Sequence, residues 1–145
     1  MEPGIYMLLL QGEGGLIPIG ARGPISFLPG YYGYVGSALG PGGLSRVVRH
    51  IRIASSGGRK PRWHIDYLLM HPGFRLIRVF CAHTTERLEC PLARTLTLPV
   101  IPGFGSTDCT CSGHLFFSTE NPDAAILAAF HAVELIPVTR DIKEQ

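Results

Sequence analysis

The chain contains little that would tie it to a membrane or a fibre. Its apolar run from Met7 to Leu10 is too short to cross a bilayer or form a signal core. Glu2 stands where the basic region of a signal would be. The expectation is a soluble, cytoplasmic protein with no membrane partner. There is no internal repeat and no low-complexity tract, which argues against a solenoid or a fibrous array. Charge is sparse: charged residues make up 17% of the sequence and the formal net charge is +2. With 46% hydrophobic residues, this describes a folded domain and not a disordered chain. At 145 residues the simplest organisation is one domain, residues 1–145, with enough core to need no covalent staple.

Turn formers are plentiful, with 18 glycines and 12 prolines. They divide the chain into short elements. Gly4 to Leu10 reads as a buried strand, Leu16 to Ala21 and Ile25 to Leu28 as further strands, and Tyr31 to Ser37 as another. Residues 4 to 37 are therefore expected to form an antiparallel meander. After Pro41-Gly42-Gly43, a helix is expected, with Leu44, Val47, Val48 and Ile51 on one apolar face and Arg46 and His50 together on another. A short helix at Trp63 to Leu69 and a strand from Phe74 to Cys81 follow. Pro91 fits only the first turn of a helix, which places Glu89 at or near a helix N-terminus. Residues Leu98 to Thr110 read as a structured loop, His114 to Ser118 as the last strand, and Asn121 to about Leu135 as a helix against the sheet. The class is α+β: a small, mainly antiparallel sheet, three strands at its core plus extra ones, flanked by about four helices.

The basic residues cluster. Arg46, Arg49, His50, Arg52, Arg59, Lys60, Arg62 and His64 crowd a stretch with no acid before Asp66. Such a block suits phosphate contacts, and equally a solvated helix face followed by a basic loop. On the first reading, Arg49, Arg52, Lys60 and Arg62 are the candidate nucleic-acid contacts.

Five residues, Arg46 and His50 of that block among them, have the chemistry of phosphodiester hydrolysis. Glu89 is a hard carboxylate suited to one Mg²⁺ or Mn²⁺ ion. Arg46 can grip phosphate oxygens bidentately. Tyr6 can polarise or deprotonate a water if a cation lowers its pKa. Tyr34 and His50 can hydrogen-bond the water or the phosphate. Each residue taken singly also has an ordinary structural use: tyrosines pack in strands, an Arg and a His decorate a helix, and a Glu serves a helix dipole.

Taken together, Gly4-Ile5-Tyr6, Tyr34-Val35-Gly36-Ser37-Ala38, Arg46-Val47-Val48-Arg49-His50 and Glu89 resemble the successive motifs of the GIY-YIG endonuclease superfamily. Val35 replaces the usual Ile. Trp63-His64-Ile65-Asp66-Tyr67-Leu68, Glu89-Cys90, Gly103-Phe104-Gly105-Ser106 and Asp108-Cys109-x-Cys111-x-x-His114-Leu115-Phe116 resemble one uncharacterised subgroup, sometimes fused to base-excision DNA glycosylases. The resemblance covers residues 4 to about 118. It implies single-metal DNA hydrolysis, with Tyr6 as general base, Tyr34 its partner, Arg46 the phosphate clamp, His50 an accessory contact and Glu89 the metal ligand. A DNA-repair setting and a repair-protein partner go with it. The alternative is a non-catalytic nucleic-acid-binding or interaction domain on the same fold. The stretch from Tyr6 to Tyr34 is longer than the family's usual hairpin, so strand or loop is inserted.

Cys90, Cys109, Cys111 and His114 form a second cluster. They suit a structural Zn²⁺ site, a disulfide, or simple buried thiols. Trp63 offers a base-stacking face, and His64 and Asp66 could approach nucleic acid or the metal. The expected role of Trp63, Tyr67 and Leu68 is nevertheless to pack the short helix on the sheet, with His64 and Asp66 fixing a turn.

Overall fold

The computed structural model describes residues 1–56, 60–105 and 113–142. Among these residues the eight strands are β1 (Gly4–Gly12), β2 (Gly15–Pro18), β3 (Pro24–Phe27), β4 (Gly30–Ala38), β5 (Phe74–His83), β6 (Val100–Ile101), β7 (Leu115–Ser118) and β8 (Val138–Asp141). Four α-helices accompany them: α1 (Ser45–Ser56), α2 (His64–Leu69), α3 (Glu89–Thr95) and α4 (Asp123–Ala132). Six strands form one sheet in the order β6-β7-β4-β1-β5-β8, and every pairing is antiparallel. The class is α+β, as the sequence pattern predicts. No helix among the described residues is long and apolar enough to cross a membrane.

The centre of the sheet explains the unbroken apolar run in β1. A strand covered on both faces needs apolar side chains at every position, not at alternate ones. Tyr6, Leu8 and Leu10 pack into one core with Leu44, Val47 and Ile53 of the first helical region and Ile65 and Leu68 of α2. Ile5, Met7 and Leu9 pack into the other with Leu92 of α3 and Ile126 and Phe130 of α4. Each of these aliphatic side chains, fully buried, stabilises the fold by roughly 1.5–3 kcal/mol.

Three sequence expectations change. Residues 4 to 37 are not a simple meander. β1 pairs directly with β4, from Gly4 opposite Ala38 to Gly12 opposite Gly30. The inserted segment forms a separate hairpin, β2 against β3, with a 3-10 turn at Gly20–Arg22. Its Ile17, Ile19 and Phe27 are buried in the α1/α2-side core, so the insertion folds back over that layer. The strand at Leu115–Ser118 is not the last, because β8 adds to the free edge of β5. Four exposed residues leave β8 no hydrophobic signal. The buried positions of α1 are Val47, His50 and Ile53, while Val48 is 37% exposed. The helix is therefore rotated from its expected orientation, with His50 facing the core and Arg46 facing solvent.

Candidate functional site

The site is assembled where β1 and β4 lie side by side. Gly36 is directly opposite Tyr6, and Tyr34 is opposite Leu8, so the two tyrosines are diagonal neighbours on one sheet face. The ring of Tyr6 lies over Gly36, where any Cβ would collide with the phenol. That close approach is the reason the second motif carries glycine at this position. Tyr34 is held edge-on to Phe104 at 6.2 Å and to His50 at 6.5 Å.

His50 reaches the same point from α1. Its Nε2 lies 2.8 Å from the Tyr6 hydroxyl. Burial, the leading cause, pushes its pKa down to about 3, so the ring is neutral at physiological pH. Nδ1 is buried with no hydrogen-bond partner among the described residues. A buried N–H without an acceptor is the costlier orphan. On that ground we place the proton on Nε2, where it donates to the Tyr6 oxygen and leaves the phenol's own proton for the cleft. Tyr6 has its pKa raised well above the usual range, first by burial, then by Tyr34 and, to a smaller extent, by Glu89. Arg46 opposes this through its charge and a hydrogen bond, and does not win.

Arg46, in the first turn of α1, is anchored by Nη1, which donates to the Ser37 carbonyl at the end of β4, 2.6 Å away. Its guanidinium also lies 5.0 Å from the centre of the Trp63 ring. Arg49 stacks closer on that ring, at 4.2 Å, and donates to both oxygens of Asp66 at 3.2 and 3.0 Å. Asp66 is buried and also accepts from the backbone N–H groups of Arg62 and Trp63. Burial would raise its pKa, but the Arg49 hydrogen bonds, these backbone donors and the Arg49 charge together hold it below the usual carboxylate range. The Trp63-His64-Ile65-Asp66 string is thus a brace that locks α2 to α1. Asp66 fixes the turn as expected, while Trp63 is a platform for Arg46, Arg49 and Arg62.

Glu89 is the first residue of α3. It lines a cleft of about 490 Å³ that also takes in Tyr6, Tyr34, Arg46, Ser37 and Trp63. Four of the five residues singled out for hydrolysis therefore meet in one cleft, and the fifth, His50, is bonded to Tyr6 behind it. Among the described residues no three His, Cys, Asp or Glu side chains gather to hold an ion by themselves. The one carboxylate among the described lining residues, Glu89, is nonetheless the kind of donor that Mg²⁺ or Mn²⁺ uses when it keeps several waters and takes phosphate oxygens.

Residues 5–135 match the family model described as a domain of unknown function, DUF123. The chain belongs to the DUF123 family. No curated protein and no solved structure matches it.

The second cluster has a different outcome. Cys90 is disulfide-bonded, so it offers no thiolate to a zinc ion. Cys109, Cys111 and Asp108 lie outside the described residues. His114 is buried, lines the cleft, and its backbone joins Val35 of β4 to Phe104. Of the candidate nucleic-acid contacts, Arg62 lines the cleft and Arg49 is committed to Asp66. Arg52 and Lys60 are exposed away from its lining. Sequence reasoning missed Arg87, which lines the cleft from the loop before α3. Its nearness to Glu89 in sequence was the available signal.

Proposed function

We propose that this chain is a metal-dependent DNA endonuclease of the GIY-YIG type, hydrolysing phosphodiester bonds in DNA repair or processing. The observation that carries the reading is the convergence of Tyr6, Tyr34, Arg46 and Glu89 on one cleft, with His50 bonded to Tyr6. A cytoplasmic setting goes with such a substrate.

The residues divide the work. Arg46, pre-set by Ser37, grips non-bridging oxygens and offsets charge that grows on them. Arg62 and Arg87 add positive charge along the same cleft, where Glu89 is the sole acid among the described lining residues. Glu89 would hold the divalent ion, which when bound polarises a water and neutralises charge on the phosphate. Tyr6 rests as a neutral phenol. Its hydroxyl orients a water in this state, and it becomes a base only once its proton passes to solvent in the cleft, after which the phenolate takes a proton from the attacking water. The His50 Nε2–H and Arg46 both favour that loss, and neutralising the Glu89 charge removes one of the contributions opposing it.

The test is incubation of the purified protein with flapped, bubbled, abasic and plain duplex DNA in Mg²⁺ or Mn²⁺. Nicking is expected, and is lost in Glu89→Ala and Arg46→Ala. A protein that binds these substrates and cuts none of them with either ion is the alternative, a nucleic-acid-binding domain, and refutes the proposal.

A further inference from the structure

His64, of the Trp63-His64-Ile65-Asp66 string, lines the same cleft and has no part in the hydrolysis assigned to Tyr6, Tyr34, Arg46, His50 and Glu89. It is the first residue of α2, and its ring is fixed from several sides. Nδ1 accepts a hydrogen bond from the Gly105 N–H at 3.0 Å. The ring stands edge-on to the buried Phe104 at 5.4 Å. Gly105 is itself held by a relay of backbone bonds: Val35 N–H donates to the His114 carbonyl at 2.9 Å, and His114 N–H donates to the Phe104 carbonyl at 2.8 Å. Thus β4, which carries Tyr34, and α2, which carries His64, are locked to each other through the 104–105 turn.

An imidazole whose Nδ1 is an acceptor carries its proton on Nε2 when neutral. Neutrality is favoured by partial burial and then by the positive charge of Arg22, both of which lower the His64 pKa. Arg22 belongs to the 3-10 turn of the inserted hairpin and approaches Gly103, whose added Cβ would lie 3.6 Å from its Nε. The inserted hairpin thereby contributes the second of the two effects that lower the His64 pKa, after burial.

We propose that His64 is a substrate-contacting residue whose Nε2–H donates a hydrogen bond to an oxygen of a phosphodiester held in the cleft. A neutral imidazole N–H is too weak an acid to give up its proton, so its contribution is a pre-aimed donor for charge that develops on the phosphate. The inference rests on the nuclease reading for its kinetic consequence, but not for the contact itself.

Two measurements separate these. In ¹⁵N-histidine NMR of the full chain with Mg²⁺, His64 should appear as the Nε2–H tautomer. Its Nε2–H signal should move when a thymidine dinucleotide phosphodiester is added, and that signal should be absent in His64→Asn. An Nδ1–H tautomer, or no shift at saturating dinucleotide, overturns the contact. In the nicking assay, His64→Asn keeps an acceptor for Gly105 but lacks the reach into the cleft. It should lose about 10²-fold in kcat with KM little changed, and His64→Gln should recover part of the loss. Full activity in His64→Asn means that the ring only braces the 104–105 turn, and the proposal fails. If the wild-type chain cuts nothing yet the NMR shift is present, the phosphodiester contact stands and the nuclease reading falls.

Discussion

Tyr6 and His50 bury two polar side chains against each other, and each leaves a measurable trace. His50 has its pKa pushed down to about 3 from an ordinary 6.5. The unfolded chain therefore binds a proton below pH 6.5 that the folded chain refuses until about pH 3. Stability is unaffected by this group above the unfolded value. As pH falls below it, stability drops by up to about 1.4 kcal/mol per unit. Urea denaturation at pH 7, 6, 5 and 4 should show this loss, and His50→Gln should flatten the slope even though it lowers stability at pH 7. A second prediction concerns Gly36. Alanine there must displace the buried Tyr6 ring, costing about 1–3 kcal/mol and reducing cleavage more than DNA binding. Equal cleavage by Gly36→Ala would show that the position of Tyr6 is unimportant. The residue types and spacing of this site were legible in the sequence. The burial of His50 was not, because Arg46 and His50 share a helix side by count alone. The tie to Tyr6 turns the imidazole inward, while the anchor on Ser37 holds the guanidinium outward.

At the scale of elements, α2 is too short to be stable alone, and its position depends on Asp66. This carboxylate accepts from Arg49 and from two backbone N–H groups, so removing its charge loosens α1, α2 and the Trp63 platform together. Asp66→Asn should cost about 2–3 kcal/mol in chemical denaturation at pH 7. Since the folded pKa is depressed, the contribution is present above the unfolded value near 3.8 and disappears as pH falls through the lower, folded one. The wild type and the variant should therefore converge in acid. A constant difference down to the lowest pH would place the cost elsewhere. Strands β1, β4 and β5 and helix α3 could be read from apolar runs and from Pro91. β8 could not, since its four residues are exposed and its pairing with β5 is a backbone matter. The hairpin β2–β3 was visible as strands but not as a separate layer, because strand propensity does not specify partners.

At the scale of the whole molecule, one sheet with a core on each face brings distant residues to a single cleft. β1 and β4 set the two tyrosines, α1, the segment before α2 and the start of α2 supply Arg46, Arg62, Trp63 and His64 from one side, and the loop before α3 and its first residue supply Arg87 and Glu89. Among the described lining residues, three guanidiniums and one carboxylate suit a phosphate backbone and a divalent ion better than a neutral ligand. We propose that this cleft hydrolyses DNA with an ion held by Glu89. The most direct test is the rate of nicking of flapped DNA across a Mg²⁺ titration, for the wild type and for Glu89→Gln. A saturable, Mg²⁺-dependent rate is expected in the wild type, and loss of that rate in a variant whose thermal stability and DNA binding are unchanged. Equal rates in the two proteins, or no cleavage by a wild type that binds the DNA, would contradict it.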